Sequence, residues 1–251
     1  MNLPAVRGMI RRRILVNFRV DPDVMQRQLP APFQVKRRGG WALAGLCLIR
    51  LEQVRPRFLP FPFGFSSENA AHRVAVCWTD DAGITQNGVF IPRRDTSSRL
   101  NHWAGGRIFP GEQQHARFQV RDRDKHIDFE MRSDDGATAV RLCACETSDF
   151  PDGSCFESLE DASAFFETGA VGYAARREGP ALDGLRLETE MWRVAPLQVE
   201  SVYSSYFADE SRFPKGSVEF DCALLMRDIA HDWLPVPQIN SSPDCRPCVA
   251  G

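Results

Sequence analysis

Residues 113–147 read QQHARFQVRDRDKHIDFEMRSDDGATAVRLCACET, three strand-like runs separated by polar turns at Asp122 to Asp124 and Asp134 to Gly136. The same texture extends in both directions. Upstream, Arg11 to Val20 alternates with Ile14, Val16 and Phe18 on one face, and Trp41 to Leu51, His72 to Trp78 and Ile84 to Ile91 are further apolar runs of strand length. Downstream, Leu185 to Trp192, Leu197 to Tyr206 and Ser217 to Met226 continue the pattern. Helices are few and short. Asp21-Pro22 opens one over Asp23 to Leu29, with the aspartate as cap and proline at the first helical position. Asp95 or Thr96 is expected to cap a second, running to Trp103 before Gly105-Gly106, and the capping box Ser158-Leu-Glu-Asp161 begins a third that ends at Gly169. Many strands with few helices predict an α+β, mainly β barrel. No linker or repeat divides it, so residues 1–234 are expected to form one domain. The proline-rich residues 235–251 are expected to be a disordered tail.

Composition sets the outer bounds. The chain has 251 residues, 43% of them hydrophobic, and a formal charge of −2, with acids and bases mixed along its length. Nothing there calls for nucleic acid. The longest apolar run after the N-terminal arginines, Ile14 to Val16, is too short for a signal-peptide core, and no stretch reaches the length of a membrane span. The expectation is a soluble, cytoplasmic protein with no membrane partner, its eight cysteines reduced.

Arginine is concentrated in Asn87 to Arg117, NGVFIPRRDTSSRLNHWAGGRIFPGEQQHAR, which holds five arginines, two histidines and no lysine. The planar guanidinium matches carboxylates in a forked geometry, so this unit reads either as the wall of an anion pocket or as a solvated face with structural turns. Arg99 and His102 share a helical face, and Gly105-Gly106-Arg107 would let backbone approach a ligand while aiming Arg107 inward. Glu68 lies between the proline- and phenylalanine-rich Pro56 to Phe65 and an apolar strand. If buried, its carboxyl would be raised toward acid-base use; otherwise it is an exposed strand-entry residue. In Arg11-Arg12-Arg13, alternation sends Arg12 opposite to its neighbours. Cys143 and Cys145 share one strand face at a spacing poor for a disulfide, and Cys245-Arg-Pro-Cys248 is half of a zinc motif without its partner pair. On these spacings no metal site is expected.

Three blocks taken in order resemble acetoacetate decarboxylase. Arg11 to Phe33, RRRILVNFRVDPDVMQRQLPAPF, is similar to that family's amino-terminal signature, and Phe65 to Val76, FSSENAAHRVAV, to the block with its pocket glutamate. Ala104 to Glu112, AGGRIFPGE, stands where the family has an arginine-aromatic-Pro-Lys-Lys segment. A group of uncharacterised bacterial proteins in the same superfamily resembles the chain more closely, especially through IPRRDTSSRLNHWAGGRIFPGE. The resemblance covers roughly residues 10–120. It implies a bent β-barrel with short flanking helices around an apolar pocket, Arg11 as pocket arginine and Glu68 as catalytic acid. The Schiff-base lysine does not carry over, because Gly111-Glu112 replaces the two lysines and arginine cannot serve as an uncharged amine.

The function expected is that of an acetoacetate decarboxylase-like protein acting on a small carboxylate or carbonyl compound. Glu68 would be the catalytic acid-base group, and Arg11, Arg99, His102, Arg107 and Gly111 would bind substrate. No cofactor and no imine chemistry are expected. The alternative is a non-catalytic protein that binds or senses an organic acid. A homo-oligomer stays open.

Overall fold

The computed structural model describes residues 5–58, 64–105, 111–176 and 179–241. In chain order the elements are β1 (Val6–Val20), α1 (Pro22–Gln26), β2 (Gln34–Val35), β3 (Arg37–Arg38), β4 (Trp41–Pro56), β5 (Phe65–Thr79), β6 (Thr85–Thr96) and α2 (Arg99–Ala104). Then follow β7 (Gln114–Arg123), β8 (His126–Ser133), β9 (Ala139–Glu146), α3 (Leu159–Glu167), β10 (Val171–Ala175), β11 (Ala181–Thr189), β12 (Ala195–Ser204) and β13 (Val218–Asn240). All the strands join one sheet, mostly antiparallel, whose pairings return on themselves: β11 meets β13, and β6 meets β5. The mainly β architecture expected from the alternating runs is therefore what forms.

The sheet has two faces with different jobs. On β1 and β4, Ile14, Val16, Leu46 and Leu48 point into the main core together with Phe33, Phe129 and Phe207. On the opposite face Leu15, Leu43 and Cys47 pack under α3 through Phe156 and Phe166. Period-2 alternation produces this division, since neighbours along a strand face opposite sides. Side chains of both parities are buried along the middle of β1 and β4, which explains why those runs read as nearly continuous apolar sequence.

Local chemistry accounts for the helices. Asp21 caps α1, its carboxylate accepting from the amides of Asp23 and Val24, and Ser158 caps α3 by accepting from the Asp161 amide. The cap of α2 is Ser98, whose side chain accepts from the Asn101 amide, so the expected cap at Asp95 or Thr96 is corrected. Both of those residues are still in β6, and Asp95 is held there by Arg93.

The C-terminal boundary is also corrected. Residues 235–240, expected to be disordered, continue β13 and pair with β11 through Leu185↔Pro235, Gly184↔Val236 and Ala181↔Asn240. Pairing with β1 is described as far as Trp233, and beyond it β11 is the strand's partner among the described residues. A strand open on one edge can carry Pro235 and Pro237, which sit two apart and thus turn their missing N–H groups the same way. Tyr173 adds a hydrogen bond from its hydroxyl to the Pro237 carbonyl at 3.2 Å. Cys245 and Cys248 lie outside the described residues, as do the central residues of the Pro56 to Phe65 crossing.

Candidate functional site: an arginine-lined apolar cavity

A cavity of about 210 Å³ opens on the face of the sheet opposite the main core. Ile10, Ile49, Leu51, Val89, Ile91 and Leu187 give it apolar walls. Three arginines, Arg13, Arg73 and Arg94, also line it. Asp95 is the one acidic residue among the described lining residues, and its carboxylate is engaged by Arg93 at 2.7 Å.

Each arginine arrives there by strand geometry. On β5 Asn69, Ala71 and Arg73, on the odd-numbered face, line the cavity, and Ala70 borders it as well. On β1 the register against β4 shifts between Ile10 and Arg12, leaving Arg11 as the extra residue of a bulge. The bulge reverses the parity, so Ile10 and Arg13 both face the cavity. On β6 a second shift, opposite His72 to Val74, does the same between Ile91 and Arg94. Pro92, with no N–H for the ladder, stands at that irregularity.

Among the described residues, Arg13 and Arg73 are held by neighbours other than carboxylates. Arg13 points Nε at the Cys47 sulfur, 3.3 Å away, and its guanidinium lies 5.4 Å from the centre of the Trp192 ring. Arg73 is 4% exposed, donates to the Asn17 side-chain oxygen and stacks 4.7 Å from the Phe166 ring, while its buried Nε finds no partner. Burial pushes the pKa of Arg73 down to about 10, partly offset by Cys47, and burial pushes Arg94 down to about 10 as well. Both therefore stay charged at neutral pH, where desolvated charge needs a counterion.

Gly111 stands beside this group. Its φ is +75°, and a Cβ there would lie 2.7 Å from Ala174 Cβ and 2.8 Å from Arg94 Nη1. The Arg94 guanidinium thus fills space that a side chain at position 111 would claim. That gives a structural reason for glycine at the position where the resemblance would place a lysine. Lys36 occupies a separate small cleft of about 30 Å³ shared with Arg13 and Arg73; its ammonium donates to Thr168 Oγ1 at 2.8 Å.

The other expected site residues fall elsewhere. Arg11, expected in the pocket, is exposed and holds Glu52 at 2.9 Å and Asp228 at 3.0 Å; the bulge at this residue is the reason. Its neighbour Arg12 is the arginine that pairs with Glu68, at 2.7 Å, and it reaches Asp122 at 3.5 Å. Glu68 is on the even-numbered face of β5 with Ala70 and His72, and it lines a different, open cleft with Arg12 and Arg121 to Arg123. Desolvation raises the pKa of its carboxyl, with Arg12 and Arg50 opposing. Arg99 and His102 are exposed on α2, where His102 Nδ1 meets the Gln113 carbonyl at 2.6 Å; neither lines the cavity. Arg107 lies outside the described residues.

Residues 8–222 match DUF2071, a family described as an uncharacterized conserved protein. The chain belongs to that family. Among solved structures it is similar to acetoacetate decarboxylase from Legionella pneumophila at 13% identity, with a TM-score of 0.61 over 94% of this chain and 88% of that one. An acetoacetate decarboxylase-like enzyme from Sphingomonas wittichii RW1 matches at 13% identity and TM-score 0.59, covering 96% and 93% of the two chains. The enduracididine biosynthesis enzyme MppR matches at 12% identity and TM-score 0.59, covering 96% and 89%. No curated protein matches the sequence. At these identities the likeness is one of fold, and the fold is acetoacetate decarboxylase-like.

Proposed function

We propose that this protein binds a small carboxylate or carbonyl compound in the cavity between β1, β4, β5 and β6, with Arg13, Arg73 and Arg94 holding the anionic or carbonyl end. One observation carries the reading: three guanidinium groups line an apolar cavity, and Asp95, the one acidic residue among its described lining residues, is already engaged by Arg93. A bound carboxylate would accept forked hydrogen bonds from these guanidinium groups, while the aliphatic walls would take its carbon skeleton. The acetoacetate decarboxylase-like fold is shared with enzymes of small molecules; the arginines argue for the charge of the ligand.

Non-catalytic binding fits this geometry better than catalysis by Glu68 in the same cavity, because alternation turns Glu68 to the other face of β5. A second reading keeps Glu68 as an acid-base group in its own cleft, favoured by the upward pKa shift that burial gives it. Thermal-shift screening of small carboxylates against their neutral amides separates these. Carboxylates should raise the melting temperature of the wild type, and Arg13→Met or Arg94→Met should abolish the rise while Glu68→Gln keeps it. Equal stabilisation by amides, or loss of binding in Glu68→Gln alone, would overturn the cavity reading. Borohydride trapping with pyruvate should leave the mass unchanged, and a stoichiometric adduct on Lys36 would restore imine chemistry.

A further inference from the structure

Far along the sheet from the cavity, β8, β9 and β12 bring together side chains that no sequence motif joins. Cys143 and Cys145 project from one face of β9, the face opposite the buried Leu142 and Ala144. His126, the first residue of β8, is directly across from Cys145, and Asp128 is across from Cys143. On the other side, the register of β12 against β9 shifts between Val199 and Ser201, so Glu200 is the extra residue of a bulge. Bulges re-aim side chains, and this one turns the Glu200 carboxylate onto the thiols.

The resulting distances are those of a ligand shell. Cys145 Sγ is 3.1 Å from His126 Nδ1, and Cys143 Sγ is 3.6 Å from His126 Nε2. Glu200 lies 3.2 Å from Cys143 Sγ and 3.5 Å from Cys145 Sγ. One donor atom each from His126, Cys143 and Glu200 falls within 4.8 Å of the others. Bonds of about 2.0–2.3 Å in a tetrahedron set ligand–ligand edges of about 3.3–3.8 Å, and because the two thiols flank different nitrogens of His126, its imidazole must turn to bring one nitrogen to a metal shared with both. Asp128 Oδ1 sits 3.4 Å from His126 Nε2, placed to accept its N–H if Nδ1 coordinates. Among the described residues no arginine or lysine forms an ion pair with Glu200 or Asp128; Arg141, on the same face of β9, is turned over the Tyr203 ring.

We propose that His126, Cys143, Cys145 and Glu200 form a tetrahedral site for a borderline-soft divalent cation, zinc in the first instance, which clamps β8, β9 and β12 on their outer face. The donor set selects the metal: two sulfurs and an imidazole disfavour magnesium and calcium, which prefer oxygen. None of the four residues lines the arginine cavity, so the clamp is structural and independent of ligand binding there. Sequence spacing hid it, because only Cys143 and Cys145 are close along the chain and the other donors come from neighbouring strands.

The test is calorimetric titration of the reduced full-length chain with zinc chloride, together with cobalt(II) substitution. One equivalent should bind, raise the melting temperature, and give with cobalt a thiolate charge-transfer band and the intense visible absorption of tetrahedral geometry. Cys143→Ser/Cys145→Ser should lose the band, and Asp128→Ala should weaken binding by about 10–100-fold. His126→Gln and Glu200→Gln, both on the outer face, repeat the test should the double serine variant fold poorly. Cys245→Ser/Cys248→Ser should bind as the wild type does. No binding by the wild type, unchanged binding in the double serine variant, or loss confined to the Cys245/Cys248 variant would each overturn the proposal.

Discussion

Gly111→Ala measures how tightly the Arg94 guanidinium is seated. Alanine at φ +75° enters the left-handed region, at a cost of about 1–2 kcal/mol for an L side chain. Its methyl would also meet Ala174 Cβ at 2.7 Å and Arg94 Nη1 at 2.8 Å, well inside van der Waals contact. Overpacking of that kind costs a further ~1–3 kcal/mol. The sum, about 2–5 kcal/mol, corresponds to a melting temperature lower by roughly 4–20 °C at this chain length. Arg94→Ala removes one of the two contacts but neither the backbone strain nor the clash with Ala174. In that background Gly111→Ala should therefore cost less, with a coupling energy of about 1 kcal/mol or more in a double-mutant cycle read by urea unfolding. Additive losses, agreeing within about 0.5 kcal/mol, would refute the claim that Arg94 fills the space at position 111. A single substitution that leaves the midpoint unchanged would refute the need for glycine altogether.

Three further outcomes follow from the same geometry. Burial lowers His72 to about 3 and His231 to about 4, whereas in the unfolded chain both titrate near their usual value of about 6.5. The unfolded state then binds more protons below that value. The stability contributed by the neutral rings is fully present above pH ~6.5 and is lost as pH falls, by about 2 kcal/mol per histidine at pH ~5. Urea midpoints measured between those pH values should fall, and fall by about half as much in His72→Gln; an unchanged slope in that variant would remove His72 from the account. Arg12→Ala, which strips the partner from a buried Glu68, should cost about 3 kcal/mol, while Arg11→Ala should barely move the midpoint because Arg11 is exposed; the reverse order would reinstate Arg11 as the interior arginine. Truncation after Leu234 should lower the melting temperature and expose the amides of β11 to exchange, since it deletes the pairing of residues 235–240; unchanged exchange would return that segment to a dispensable tail.

The strands were legible because their buried faces alternate or run continuously apolar, and the two turns of the β7 to β9 region carry the expected polar residues. The resemblance to acetoacetate decarboxylase added the architecture, and the fold bears it out. The site was only half legible. Arg93-Arg94 stood out as part of an arginine-dense stretch, yet nothing in the sequence said which of the two faces inward. Likewise Arg11-Arg12-Arg13 announced a cationic strand but not its phase. In both places a bulge decides the outcome, and a bulge is a property of two strands together: β1 against β4, and β6 against β5. A single sequence read at period two passes straight through it and sends every later side chain to the wrong face. Arg73 was missed for a different reason. It lies next to His72 in an apolar run, where a lone arginine reads as an edge charge, and only the packing of Asn17 and Phe166 from other elements reveals it as interior.

The same irregularities organise the molecule's chemistry. The bulge at Arg11 gives the three consecutive arginines three destinations: Arg11 to surface acids, Arg12 to Glu68, and Arg13 to the cavity. The shift near Pro92 separates Arg93, which neutralises Asp95, from Arg94, which lines the cavity beside Gly111. A regular ladder over the same residues would turn Arg94 away from the cavity, to the face of β5 that carries the buried Ala70 and His72. With the shift, its charge faces a space that a small anion can enter. The bulges are thus the place to test the parity argument without touching the cavity's walls. Deleting Pro92 removes the extra residue, so β6 can pair regularly with Arg93 still opposite His72 and Arg94 still opposite Ala71; Arg94 should keep facing the cavity and carboxylate binding should persist. If binding is lost while hydrogen exchange in β5 and β6 is unaltered, Arg94 has left the cavity without a change of pairing, and the parity argument fails at its source.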